Sequence, residues 1–145
     1  MIGVDTNVLL RVPERNHLQC QTARNILNEL RGETIAVFPQ NLAEFYVVAT
    51  RANTGTRPGL GMTPATAVQW INFYRRQFVE LRDPPDIIER WLELMQKHLI
   101  RGINAYDGRF AAACQAVGIT HFITFNVKDF RPYSFLTLID PDRPR

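Results

Sequence analysis

The chain begins with Met1-Ile2-Gly3-Val4-Asp5-Thr6-Asn7, a short apolar run that ends in a carboxylate, a hydroxyl and an amide. Apolar runs of this length are typical of the buried strands of a parallel sheet. Open α/β sheets bind their ligands just beyond the carboxyl ends of the strands. Asp5 is therefore expected at the edge of the sheet that carries the chemistry, although a helix-capping role explains this residue equally well when the stretch is taken alone.

Length and composition limit the class of protein. The 145 residues fit one domain, which we predict to span residues 1–145. Hydrophobic residues make up 46% of the chain and charged residues 21%, as in a globular protein. No apolar run reaches the roughly 20 residues that a bilayer requires, no signal peptide is evident, and Cys20 and Cys114 have no ligand-like spacing. We therefore expect a cytoplasmic protein with no membrane partner.

The net charge of +3 favours an anionic partner, but only weakly. Of the 17 basic residues only Lys97 and Lys128 are lysines, and the guanidinium of arginine matches phosphate in bidentate geometry. An arginine-rich proteome would produce the same bias. Charge alone therefore does not identify a nucleic-acid-binding protein.

Short apolar stretches alternate with helical patterns along the chain. After the first strand, further strands are predicted at residues 34–38, 79–81, 119–124 and 135–139. Helices are predicted at residues 6–11 (with Thr6 or Asn7 as the cap), 17–31, 41–51, 86–99 and 107–117, and from Thr63-Pro64 onward. The fourth long helix is expected to bury Ile87, Ile88, Trp91, Leu92, Met95 and Leu99. This alternation predicts the α/β class, as a three-layer α/β/α sandwich on a mainly parallel sheet.

Acidic residues follow the predicted strands or open the helices beside them. Asp5 ends the first strand, Glu44 lies in the helix after the second, and Asp107 opens the fifth long helix. Each has a simpler explanation as a cap, a helix-dipole residue or a solvated side chain. If the strands are parallel, however, these carboxylates meet at one edge and repel each other unless a cation joins them. An all-oxygen ligand set favours Mg²⁺ or Mn²⁺, and such a site activates water and stabilises the charge that develops in phosphodiester cleavage.

Four stretches, in this order, resemble PIN domains, and specifically the VapC-type toxins of bacterial toxin–antitoxin pairs. They are residues 2–9, 41–45, 105–112 and 118–130, which read IGVDTNVL, NLAEF, AYDGRFAA and GITHFITFNVKDF. The resemblance implies a PIN-like fold, divalent-metal-dependent endoribonuclease activity on RNA, inhibition by a cognate antitoxin protein, and a homodimer.

The resemblance places Asp5, Glu44 and Asp107 at the positions of the acids with which the family binds metal. The chain departs from the family at the fourth acid, where the pattern reads Thr124-Phe125-Asn126, so that either Asn126 or Asp129 would fill this place. Residues that resemble those orienting water or the acids are Thr6, Asn7 and Thr124. Candidate RNA contacts, each more simply explained as a solvated side chain, are Arg11, Arg51, Arg57 and Arg109. The Gly- and Pro-rich loop at residues 53–63 is the predicted source of RNA selectivity.

Two other functions compete with a ribonuclease. The first is a catalytically weak PIN-fold module that binds RNA or an antitoxin, which Asn126 alone favours. The second is a phosphoacceptor signalling domain, which would need a second acid beside Asp5, where Thr6-Asn7 stands, and a lysine in a context that Lys128 does not have. The pattern leaves open the RNA target and whether one or two metal ions bind.

Overall fold

Five short strands form one sheet in the computed structural model of the chain, which describes residues 1–143. They are β1 (Ile2–Val4), β2 (Ile35–Val37), β3 (Val79–Glu80), β4 (His121–Ile123) and β5 (Thr137–Ile139). Their order is β3-β2-β1-β4-β5, and every pairing is parallel. The α/β class and the parallel sheet are confirmed. That residues 1–145 form one domain stays a prediction, and residues 144 and 145 lie outside the described part.

Seven helices accompany the strands within the described residues. They are α1 (Thr6–Arg11), α2 (Cys20–Glu29), α3 (Pro39–Thr50), α4 (Pro64–Gln77), α5 (Ile87–His98), α6 (Asn104–Ala116) and α7 (Val127–Phe130). Each element was predicted within a few residues except α7, which forms where a polar loop was expected. Within residues 1–143, none of the helices combines the length and apolarity that crossing a bilayer demands.

Apolar side chains pack on both faces of the sheet, which gives the three predicted layers. Val4 and Val37 belong to one core with residues of α1 to α4, whereas Ala36 and Phe122 belong to the other core with residues of α5 and α6. Alternate residues of a strand point to opposite faces, so each three-residue strand contributes to both cores. Gly3 faces the second core, where a Cβ would lie 2.7 Å from the ring of Phe122.

The predicted buried face of α5 is partly wrong. Ile88, Leu92 and Leu99 are 48%, 50% and 81% exposed, whereas Leu94, which the pattern did not select, is buried. The residues of α5 that are buried, Ile87 and Leu94, are two turns apart on the side that packs against α6. The apolar surface of α5 is thus wider than the area that the rest of this chain covers.

The order of the strands determines which edge carries the site. From β1 the chain moves to β2 and β3 on one side of the sheet and later returns to β4 and β5 on the other side. The carboxyl ends of β1 and β4 therefore flank the point where the strand order reverses, the usual ligand-binding position of open parallel sheets. Helix α6 leads into β4, so its N-terminal turn lies at this same edge.

Candidate active site

Asp5 lies directly after β1 and is 5% exposed. Its Oδ2 atom accepts hydrogen bonds from Thr124 Oγ1 at 2.6 Å and from Asn7 Nδ2 at 2.8 Å. Its Oδ1 atom accepts from the backbone N–H of Asn7, 3.4 Å away, so Asp5 is also the N-cap of α1. The prediction that Thr6 or Asn7 caps this helix is wrong, because the capping residue has extended backbone and the helix already includes Thr6. The capping and site roles of Asp5 are compatible.

Asn7 and Thr124 join the end of β1 to the end of β4. Asn7 Nδ2 also lies 3.3 Å from Thr124 Oγ1, and Asn7 Oδ1 accepts from the backbone N–H of Phe125 at 3.3 Å. Thr124 is fully buried and accepts from the backbone N–H of Asn126 at 2.9 Å. Each of these polar groups is therefore hydrogen-bonded to a neighbouring strand end, as buried polar groups usually are.

Glu44 reaches the same edge from the second turn of α3. Its Oε2 atom accepts from Thr6 Oγ1 at 2.9 Å, and its Oε1 atom accepts from Gln40 Nε2 at 2.7 Å. The fully buried Asn41 fixes the start of α3, because its side chain donates to the Val4 carbonyl at 2.9 Å and accepts from the Phe38 N–H at 2.7 Å. Thr6 thus connects the first strand end to the acid of α3.

Sequence reasoning missed Asn41 and Gln40. The available signal for Asn41 was an amide two residues after Pro39, where a helix begins and backbone N–H groups need acceptors. Gln40 carries no such signal, because a glutamine in the first turn of a helix is ordinarily solvated.

Asp107 lies in the first turn of α6 and is half-buried. The next residue, Gly108, permits close packing behind it, since a Cβ at this position would clash with Met95 and would lie 2.7 Å from the hydroxyl of Tyr133. That hydroxyl is buried and has no hydrogen-bond partner in the described residues. Burial, and then the negative charge of Asp107, raises the pKa of Tyr133 to about 12.

Electrostatics show that four carboxylates share this edge. Burial first, and then the negative charges of Asp5, Asp129 and Glu44, raises the pKa of Asp107 to about 7. Burial also raises the pKa of Asp5 to about 6, with Glu44 adding to the rise and hydrogen bonds from Thr124 and Asn7 opposing it. None of the ion pairs among residues 1–143 involves one of these four acids. The cluster therefore has no cationic side chain paired with it.

The oxygen-only donor set and the unbalanced negative charge fit a hard divalent cation. Within residues 1–143, however, no three His, Cys, Asp or Glu side chains are already arranged as a metal-binding group. Ligation by Asp5, Glu44 and Asp107 would therefore require these carboxylates to move closer together. The fourth position remains open, because Asn126 is exposed just before α7, whereas Asp129 on α7 is close enough to influence Asp107.

The four candidate RNA-binding arginines occupy different places. Arg11 is paired with Glu14, and Arg109 is paired with Asp83. Arg51 and Arg57 are exposed at the C-terminal end of α3 and in the loop that follows it. Two of the four side chains are thus held in ion pairs and two are exposed, and RNA contacts by them stay predictions.

The loop at residues 53–63 follows the end of α3 that is farther from the sheet edge. Its second half is attached there, because Leu60 and Met62 donate backbone hydrogen bonds to the carbonyls of Val48 and Ala49 at 3.0 and 2.8 Å. A Cβ on Gly59 would clash with the Val48 carbonyl, so glycine permits this close approach. Its role in RNA selectivity also stays a prediction.

Comparisons with known proteins agree with this architecture. The PIN domain family model matches residues 2–136. Ribonuclease VapC24 of Mycobacterium tuberculosis is 28% identical over 142 residues, which are 97% of each chain. A toxin–antitoxin complex from Klebsiella pneumoniae contains a chain of similar fold, with a TM-score of 0.68, 20% identity, and coverage of 97% of this chain and 98% of that one. VapC20 of M. tuberculosis, a sarcin-ricin loop cleaving toxin, has a TM-score of 0.64, 18% identity, and coverage of 84% and 87%.

Proposed function

The chain belongs to the PIN domain family, and from that premise we propose that it is a divalent-metal-dependent endoribonuclease, the toxin of a bacterial toxin–antitoxin pair. One observation carries the catalytic part of this proposal. Asp5, Glu44, Asp107 and Asp129 reach one sheet edge and none of them belongs to an ion pair within residues 1–143, and burial together with this crowding raises the pKa of Asp107 to about 7. Carboxylates gathered without a paired basic side chain favour an external cation.

The relatives support the same activity. Ribonuclease VapC24 aligns with nearly the whole chain, and VapC20, whose fold is similar, is a toxin that cleaves the sarcin-ricin loop. A chain of the K. pneumoniae toxin–antitoxin complex shares the fold as well. We therefore include in the proposal an RNA substrate, a cognate antitoxin, a homodimer and a cytoplasmic location.

Asp5, Glu44 and Asp107 would hold Mg²⁺ or Mn²⁺, with Asn126 or Asp129 at the fourth position. When bound, such a cation lowers the pKa of a water molecule and offsets the negative charge that develops on the phosphate. The raised pKa values of Asp5 and Asp107 mean that these carboxyls retain protons nearer to neutral pH than free aspartate does, so cation binding would release protons.

The other polar residues of the site orient these acids. Thr124 and Asn7 hold Asp5, while Thr6 holds Glu44, through the hydrogen bonds described above. Partners of this kind fix the direction of a ligand's lone pairs before the metal ion arrives. Their proposed contribution is therefore to metal affinity and to the alignment of the acids.

A catalytically weak PIN-fold module that binds RNA or an antitoxin is the alternative. Asn126 favours it, because an amide in place of the family's fourth acid supplies no charge to the site. Cleavage of RNA by the purified protein in Mg²⁺ or Mn²⁺, and its loss in chelator, distinguishes the two functions. Equal cleavage in chelator would exclude the metal-dependent mechanism.

The toxin role needs a separate test in cells. Expression of the chain alone should arrest bacterial growth, and co-expression with the neighbouring reading frame should relieve the arrest. Asp5→Asn is the matched control, because it should permit growth without the neighbour. Arrest that persists in Asp5→Asn would separate the toxicity from the acid cluster.

A further inference from the structure

A chain of hydrogen bonds leads from Glu44 to a surface ion pair. Gln40 Nε2 donates to Glu44 Oε1 at 2.7 Å, and Arg109 Nη1 donates to Gln40 Oε1 at 3.0 Å. Arg109 Nη2 in turn donates to Asp83 Oδ2 at 2.6 Å. We call Gln40, Arg109 and Asp83 the Gln40 relay. It connects α3, α6 and the segment between β3 and α5.

The relay has a defined direction. Arginine carries only donors, so the atom of the Gln40 amide that faces Arg109 must be the oxygen. The amide nitrogen therefore faces Glu44, and its second hydrogen is directed to the Tyr106 carbonyl at 3.0 Å. Both hydrogens of the amide are used, and the amide cannot turn over without placing its NH₂ group against a guanidinium.

In the relay, Gln40 and not the guanidinium of Arg109 is bonded to Glu44. The charge of Arg109 is balanced by Asp83, and the side chains of the two residues are 23% and 28% exposed. Glu44 receives the neutral donor of Gln40 and is not bonded to the guanidinium. A guanidinium bonded directly to Glu44 would be a permanent counter-ion and would compete with a divalent cation.

We propose that Gln40 is a positioning residue for Glu44, and that Arg109 and Asp83 act through Gln40 by holding its amide in the orientation that donates to Glu44. The inference rests on the proposed function, because the consequence of the position is the affinity of the acid cluster for a divalent cation. It also gives Arg109 a role other than the direct RNA contact considered from the sequence.

The first experiment measures Mn²⁺ binding to the full chain by calorimetry. Gln40→Met removes both ends of the amide at similar length and should weaken Mn²⁺ binding about tenfold, the usual scale for residues that orient metal ligands. Gln21→Met is the matched control, since Gln21 is exposed on α2 and its side chain, among residues 1–143, is bonded only to Asn25, at 2.7 Å. Wild-type Mn²⁺ affinity in Gln40→Met overturns the proposal.

A double-mutant cycle tests whether Arg109 acts through Gln40. Arg109→Met should also weaken Mn²⁺ binding, and the double variant should bind no more weakly than Gln40→Met, because contacting residues in one network are non-additive. Affinity of Arg109→Met for a single-stranded RNA oligonucleotide in chelator should equal that of wild type. Additive losses of Mn²⁺ affinity in the double variant would show that Arg109 acts independently of Gln40. Weaker RNA binding by Arg109→Met in chelator would show that Arg109 contacts RNA itself.

Two further measurements separate the possible failures. Asp83→Asn leaves the hydrogen bond between Gln40 and Glu44 in place and should therefore lose less Mn²⁺ affinity than Gln40→Met. It replaces Gln40→Met in the test if thermal unfolding shows that Gln40→Met is not folded. Wild-type protein that neither binds Mn²⁺ nor cleaves RNA would overturn the proposed function and the relay's role with it. If the wild-type protein binds Mn²⁺ and cleaves RNA, and Gln40→Met and Asp83→Asn keep wild-type Mn²⁺ affinity, the proposed role of the Gln40 relay is wrong while the proposed function stands.

Discussion

The acid cluster has two halves that differ in how the side chains are held. The held half, Asp5 and Glu44, has each of its four carboxylate oxygens within hydrogen-bonding distance of a donor from Asn7, Thr124, Thr6 or Gln40. The open half, Asp107, Asn126 and Asp129, is different, because in the described residues no donor is bonded to the carboxylates of Asp107 and Asp129. All of these residues nevertheless lie at one sheet edge.

Burial explains this difference for Asp5, whereas the half-buried Glu44 is held by the buried Thr6 and by Gln40. Asp5 and Thr124 are buried at the ends of central strands, where an unpaired polar group is costly, so hydrogen-bonding partners accompany them. Asp107, Asn126 and Asp129 belong to the beginnings of α6 and α7 and are half-buried or exposed, so water can solvate them. The held half is preorganised, whereas no hydrogen bond within residues 1–143 holds the two carboxylates of the open half.

The largest expected effect is a loss of RNA cleavage, and it should be the same for a substitution in either half. Asp5→Asn and Asp107→Asn should each reduce RNA cleavage by more than about 100-fold, the upper range for residues that only orient a ligand, because each removes a proposed metal ligand. Asn is as good an N-cap as Asp, so Asp5→Asn should keep its fold. Cleavage assays with an exposed-surface control, Glu93→Gln, measure this. Undiminished cleavage by Asp107→Asn would remove the open half from the mechanism.

The second prediction concerns pH without a cation. The pKa values of Asp5 and Asp107 rise from 3.8 to about 6 and about 7, so the folded state binds more protons than the unfolded state between those limits. Their contribution to the free energy of unfolding is full below about pH 4 and is lost as the pH rises toward 7. It is on the order of a few kcal/mol after a discount for solvent screening at the partly exposed Asp107. Urea unfolding in chelator measures this slope.

Two comparisons sharpen the pH experiment. Mg²⁺ or Mn²⁺ should restore stability at pH 7, because a ligand that binds only the folded state stabilises it. Asp107→Asn should reduce the dependence of the free energy of unfolding on pH, because it removes the contribution of Asp107. Stability that is independent of pH between 4 and 7 in chelator would contradict the raised pKa values.

A third, smaller effect should appear only in the held half. Thr124→Val removes the 2.6 Å hydrogen bond to Asp5 and the acceptor of the Asn126 N–H. We expect a loss of about 1–3 kcal/mol in the free energy of unfolding, from the unpaired buried groups, and about tenfold weaker Mn²⁺ binding. Thr137→Val, on exposed β5 surface, is the control. Unchanged Mn²⁺ affinity would show that the held half needs no preorganisation.

The smallest effect concerns the fourth position of the open half. Asn126→Asp adds a carboxylate where the family carries an acid and should tighten Mg²⁺ or Mn²⁺ binding several-fold, which calorimetry can detect. If Asp129 already fills this position, Asn126→Asp should have no effect and Asp129→Asn should weaken binding. The pair of variants thus assigns the fourth position to one residue.

The sequence predicted which acids lie at one sheet edge better than it predicted the residues around them. Asp5, Glu44 and Asp107 could be selected because each follows a strand or opens a helix at the expected sheet edge, and PIN-domain motifs surround them. Gln40 and Arg109 could not be linked from the sequence, since they are 69 positions apart and each has the pattern of an ordinary surface residue. The face of α5 was predicted too broadly, because apolar periodicity does not say which apolar residues a neighbouring helix covers.

The sequence by itself determined the α/β class, the family, and which acids reach one edge. These follow from short-range properties, namely the alternation of strand and helix periods and the position of acids relative to strand ends. The tertiary structure decided which acids are held and which are open. That distinction depends on contacts between distant residues, such as Thr124 with Asp5 at a separation of 119 positions and Thr6 with Glu44 at 38. Only folding brings those donors to the carboxylates, and the burial of Asp5, Thr6 and Thr124 makes their hydrogen bonds necessary.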